Sequence, residues 1–213
     1  MDAPRQKRFP SHTPEPAGLT RIHGGAAARG VLVRLIMFHK IGFFALVALV
    51  SISPLDAVRA APLADAQIAH IAYTAGQIDI DAAQLALSKD VSAQVRQFAE
   101  TMARDHAAVN ERALALVKKL GVTPEDNATS QALLSGATET ERTLRTLSGA
   151  AFDRAYVANE VAFHQTVNDA LRQSLIPGAN NAELKALLED GLALFSEHQK
   201  HAEMLQRELA HHD

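Results

Sequence analysis

From Asp65 onward, apolar residues recur at the spacing of an α-helix, and nowhere do they settle into the alternation of a half-buried strand. At ~100° per residue, Ile68, Ile71, Ala72, Ala75, Ile78, Ala82 and Ala86 share one face. A second stripe holds Val95, Phe98, Met102, Val109, Ala113, Leu116 and Leu120, and a third holds Phe152, Val157, Val161, Val167 and Leu171. Leu184, Leu187, Leu188, Gly191, Phe195, Ala202, Leu205 and Leu209 make the fourth. Each stripe is interrupted by ionisable groups: Asp79 on the first, and His106 on the second with Asp105 at its edge. The third carries Asp153, Tyr156, Glu160 and His164, and the fourth carries His198. Burying such a group costs several kcal/mol unless it is paired or metal-bound, so groups from different helices are expected to meet.

The punctuation sets the limits of these helices. The first ends near Ser88, Asp90 is the expected N-cap of the second, and Gly121 and Pro124 stop it. So short a link makes the first two an antiparallel hairpin. Ser148 caps the third, which runs to Pro177-Gly178, and Asn180 with Glu183 has the form of a capping box for the fourth. Between the hairpins, Gly136 and Gly149 bracket a stretch with Leu133, Leu134, Leu144 and Leu147. It reads as a shorter helix or a broken connection that carries the chain back along the bundle. The expected fold is therefore all-α: a ferritin-like four-helix bundle with one long crossover connection, preceded by a signal peptide.

Composition agrees and removes several functions. Hydrophobic residues make up 47% of the 213, but aromatics only 5%, which suits Ala- and Leu-rich helix packing in one domain. The first 60 residues hold 8 basic and 3 acidic side chains and the remainder 13 and 21, a net of −8 that matches neither nucleic acid nor an anionic membrane. Cysteine is absent, which excludes disulfides, thiolate metal sites and thiol nucleophiles. There is no Gly-x-Ser-x-Gly elbow, no phosphate-cradling glycine loop, no Rossmann fingerprint and no His-Glu-x-x-His helix.

The amino-terminal third stands apart. Residues 1–30 lack an apolar period, and 1–36 read as disordered or as a mis-assigned start, with Met37 opening a leader of ordinary proportions. Arg34, His39 and Lys40 precede the uncharged run Ile41 to Ser53 of the 37–60 segment, a run shorter than the ~20 residues of a spanning helix. Val58-Arg59-Ala60 places small residues where a signal peptidase inspects, so cleavage is expected after Ala60. The domain would then occupy 61–213, exported, with no transmembrane helix remaining after signal cleavage. An uncleaved anchor is the alternative.

Several short runs add a resemblance. Leu85-Ala86-Leu87, Val95, Phe98-Ala99, Met102 and Asp105-His106 are joined by Ser148-Gly149-Ala150-Ala151-Phe152-Asp153, Tyr156-Val157, His164 and His198. On these the stretch 65–210 resembles the exported, ferritin-like family catalogued as domain of unknown function 4142, many of whose members carry an outer-membrane protein label. The resemblance implies a ferritin-like fold and a periplasmic or outer-membrane-associated location; it implies no activity, because the family has none established.

Asp153, Tyr156, Glu160 and His164 follow one another at steps of three, four and four, which keeps all four in one arc of a helix. Together with His106, His198, Asp79 and Asp105 they form an imidazole and carboxylate set suited to iron, manganese or zinc. Residues Ala103, Val161 and Phe195 stand three before the three histidines, so the Glu-x-x-His signature of di-metal bundles is missing and enzymatic oxidation is not expected. The leading reading is metal binding or envelope stress protection. Its rival is a structural or partner-binding module, engaging an envelope protein or a second copy of itself, whose polar groups only bond one another. Asp79 could also reach water near a helix end, and Asp105 could bond an arginine or solvent. Glu197, His201, His211 and His212 read as solvated, and Met102 as core.

Overall fold

The computed structural model describes residues 62–211, so the leader and its cleavage point lie outside the described residues. The described part is all-helical. Its elements are α1 (Asp65–Leu87), α2 (Ala93–Leu120), α3 (Ala128–Arg145) and α4 (Gly149–Ala170). A π-helical turn, Leu171–Leu175, and a single turn, α5 (Ile176–Gly178), prolong α4 before α6 (Ala182–His211). No helix among the described residues is long and apolar enough to cross a membrane.

Among the described residues five long helices are present where four were expected, because the connecting stretch is itself an 18-residue helix. Asn127 starts it by accepting hydrogen bonds from the amides of Thr129 and Ser130, while Ser130 Oγ accepts from the amide of Asn127. Only Ser130 and Leu144 of α3 are buried. A helix with so thin an apolar seam gives a weak periodic signal, which is why the sequence left it open between helix and broken connection. Two caps also move. Ser92 rather than Asp90 caps α2, its Oγ accepting from Val95 N at 3.4 Å, and Asn181 rather than Asn180 caps α6, accepting from Glu183 and Leu184. Gly121 ends α2 at φ 64, the left-handed conformation that favours glycine.

Cross-links between helix ends fix the directions of the rods. Asp153, near the start of α4, accepts the amide of Ser92 at the start of α2, at 3.0 Å, so α2 and α4 run parallel. Asp65 at the start of α1 accepts from the amides of Asn180 and Asn181 just before α6, so α1 and α6 also run parallel. α3 begins beside the foot of α1, where Asn127 Nδ2 donates to Gln67 O. It ends at the opposite pole, where Lys89 Nζ donates to the carbonyls of Arg145 and Leu147. The chain thus runs up α1, down α2, back up α3, down α4 and up α6.

The apolar core is split into two storeys. Phe98, Met102, Phe152, Tyr156, Val157 and Leu205 pack the one at the α1–α2 turn. Ile68, Ile71, Val117, Leu171, Leu184 and Leu188 pack the other, at the opposite pole. Between them lies a level whose buried side chains are Asp79, His106, Glu160, His164 and His198.

Candidate metal centre

α1 and α2 meet at Gly76, where α1 has no side chain. A Cβ on Gly76 would lie 2.4 Å from Asn110 Oδ1, so glycine alone admits this buried asparagine, whose Nδ2 donates to Tyr73 O. Asp79 lies one turn beyond Gly76, and His106 one turn before Asn110. The close crossing therefore presents Asp79 to His106, with Asp79 Oδ2 3.6 Å from His106 Nε2. Opposite, Asn168 ties α4 to α6 by donating to Phe195 O at 3.3 Å and to Gln199 Oε1 at 3.0 Å. One turn earlier, α4 presents His164, whose Nε2 stands 3.4 Å from His106 Nε2 and 3.6 Å from Asp79 Oδ2.

His164 is held in a defined tautomer. Its Nδ1 lies 2.9 Å from the Glu160 carbonyl oxygen, an acceptor only, so Nδ1 carries the proton and Nε2 turns a lone pair to the centre. His198 adds a third imidazole from α6. One ring nitrogen from each of His106, His164 and His198 lies within 4.8 Å of the others, and Asp79, Glu160 and His164 form a second such group. His198 Nε2 donates to Asp105 Oδ2 at 3.1 Å, and Arg104 Nε holds the other oxygen of that carboxylate at 2.8 Å. A stacked Phe195 ring, 4.5 Å from that of His106, floors the level.

The electrostatics are those of a dry site. Burial pushes the Asp79 carboxyl up to about 8, and burial together with the Asp79 charge raises Glu160. Burial lowers His106, reinforced by His164 and His198, and takes His164 down to about 4. Burial also depresses His198, while it raises the Tyr156 phenol with help from the Glu160 and Asp79 charges. Asp105 behaves differently: burial pushes it up, but hydrogen bonds from Arg104 and His198 outweigh that and hold it below the ordinary carboxylate range. Many of the inner atoms lack a hydrogen-bond partner among the described residues. They are both oxygens of Asp79, Glu160 Oε2, Tyr156 Oη, His106 Nδ1 and His198 Nδ1.

Six of the eight sequence candidates therefore gather at one level: Asp79, His106, Glu160, His164 and His198, with Asp105 bonded to His198 from its rim. Tyr156 lies one turn from Glu160 among Phe98 and Phe152 and belongs to the edge of the apolar storey. Asp153 belongs to the helix junction with Ser92, because seven residues separate it from Glu160, ~10 Å along the axis. Asp79 does not reach water; it is 1% exposed. Glu197 and His201 are exposed, and Met102 is core, as expected. Sequence reasoning missed Gly76, Asn110 and Asn168. A mid-helix glycine, and buried asparagines one turn beyond His106 and His164, were the available signals. No curated protein and no solved structure matches this chain. The sequence model of one family does, over residues 53–205, and the chain belongs to that family, described as Domain of unknown function (DUF4142).

Proposed function

We propose that this protein binds one transition-metal ion, zinc, manganese or iron, between His106 Nε2, His164 Nε2 and Asp79 Oδ2. The observation that carries the reading is the triangle of these atoms. With edges of 3.4, 3.6 and 3.6 Å, its centre lies about 2.0 Å from each atom, the length of a Zn–N or Zn–O bond. Glu160 and His198 stand close enough to complete the coordination, and Asp105 would orient His198 as carboxylates orient metal-bound imidazoles. A purely structural polar layer would satisfy its own members, whereas both oxygens of Asp79 have no hydrogen-bond donor among the described residues. The order of hairpin, single crossover and hairpin in which these rods follow one another supports a ferritin-like bundle, though one without Glu-x-x-His pairs. The apolar run Ile41 to Ser53 and the small residues of Val58-Arg59-Ala60 support export, so the ion would be held in the cell envelope, where sequestering it serves stress protection.

The test is elemental analysis and titration of untagged protein, first stripped with chelator. One equivalent of zinc, manganese or iron is expected, lost in the His106→Ala, His164→Ala double variant. Metal-free protein whose folding alone suffers in that variant would establish the structural reading instead.

A further inference from the structure

The storey beyond Phe195 is not filled. A cavity of about 280 Å³ lies among the helices there, its walls including Ala72, Ala75, Ala113, Ala170, Gly191 and Phe195. Its wall on α6 extends from Leu184 to Phe195, eleven residues or ~16 Å at the helical rise. None of the side chains that line it is charged, and an apolar guest that follows that wall from Leu184 to Phe195 meets aliphatic carbon along its length. The few polar groups in its lining are largely committed. Asn110 Nδ2 donates to Tyr73 O and Thr166 Oγ1 donates to Ala162 O. Water needs two to four polar partners, and apolar voids of about half this size stay dry and take up apolar molecules.

Gly191 shows that the space is kept open by the sequence. It sits well inside a 30-residue helix, where glycine is less stable than alanine, at a negative φ that demands no glycine. A Cβ there would meet Phe195 at an ordinary 3.4 Å. A route inward exists as well. Thr129, Leu133 and Thr166 line both this cavity and a wider one of about 510 Å³ under α3, the helix that buries only two residues.

We propose that the cavity binds one saturated alkyl chain of about ten to twelve carbons, the tail of a fatty acid or of a single-chain phospholipid, entering beneath α3. This binding is independent of the metal.

Calorimetric titration of the full, untagged chain with straight-chain fatty acids of six to sixteen carbons, below their micellar concentrations, tests it. Saturable one-to-one binding is expected to tighten about fourfold per methylene and to level off near twelve carbons, where the cavity is full. Gly191→Leu and Ala113→Leu fill the void from opposite walls, and each is expected to weaken binding at least tenfold while leaving metal stoichiometry unchanged and the thermal midpoint unchanged or raised. A decanoyl lysophospholipid compared with decanoate identifies the source by which binds more tightly, and either answer supports the proposal. Absence of saturable binding, affinity that climbs with chain length without levelling, or equal binding by both filled variants would overturn it.

Discussion

Asp79 makes the polar level sensitive to pH. Folded, it keeps its proton up to about 8, whereas an unfolded aspartate releases it near 3.8, so the folded chain binds more protons across that window and loses stability as pH climbs. His164 acts oppositely between about 4 and 6.5, where the unfolded chain binds more protons and stability rises with pH. Above 6.5 only the carboxyl effect remains. Metal-free protein is therefore expected to lose at least about 1 to 2 kcal/mol between pH 6.5 and 8, measured by urea unfolding, and Asp79→Asn to reduce that slope, the remainder belonging to the buried Glu160 carboxyl. Metal binding runs the other way, because the ion displaces the proton: affinity should rise with pH over the same interval, read by competition with a chelator. Asp105→Ala leaves the triangle intact but frees His198, and a 10- to 100-fold loss of metal affinity with little loss of stability is expected. The candidate ligands were legible in the sequence because each interrupts an apolar stripe. The separation of Asp153 from the rest was not, since helical periodicity reports direction around the rod and is silent about which neighbouring level a residue meets.

Among the elements, the α1–α2 crossing decides whether ligands from different helices can converge. Gly76→Ala puts a methyl group against Asn110 Oδ1, and Asn110 must then give up its bond to Tyr73 or the helices must part. A loss of 1 to 3 kcal/mol is expected by thermal or urea unfolding, the range for an unsatisfied buried polar group, together with weaker metal binding as Asp79 recedes from His106. The extents of α1, α2, α4 and α6 could be read from period and punctuation because their apolar seams are wide, and α2 and the α4 segment are followed by glycine and proline. The shifts from Asp90 to Ser92 and from Asn180 to Asn181 were not readable. Asp90 and Ser92 are both good caps, as are Asn180 and Asn181, and the choice falls to tertiary partners such as Asp153 and Asp65, which claim neighbouring amides.

At the scale of the whole molecule, the described chain divides into four helices that own the core and one that merely covers it. Hydrogen exchange should show this directly: amides of α3 are expected to exchange well before those in the middles of α1, α2, α4 and α6, because only two of its side chains are buried. Uniform protection across all five would contradict it. The all-α class was legible from composition and period, while the helical form of the connection was hidden by its solvated surface. The polar storey has a further consequence for the order of events. Its triangle draws Asp79 and His106 from one hairpin and His164 from the other. Neither hairpin alone could grip the proposed ion at full strength, so that cation would not template early collapse and would be captured only once both halves have docked. A polypeptide threaded unfolded through a membrane would thus arrive empty and be loaded by whichever metal its destination supplies.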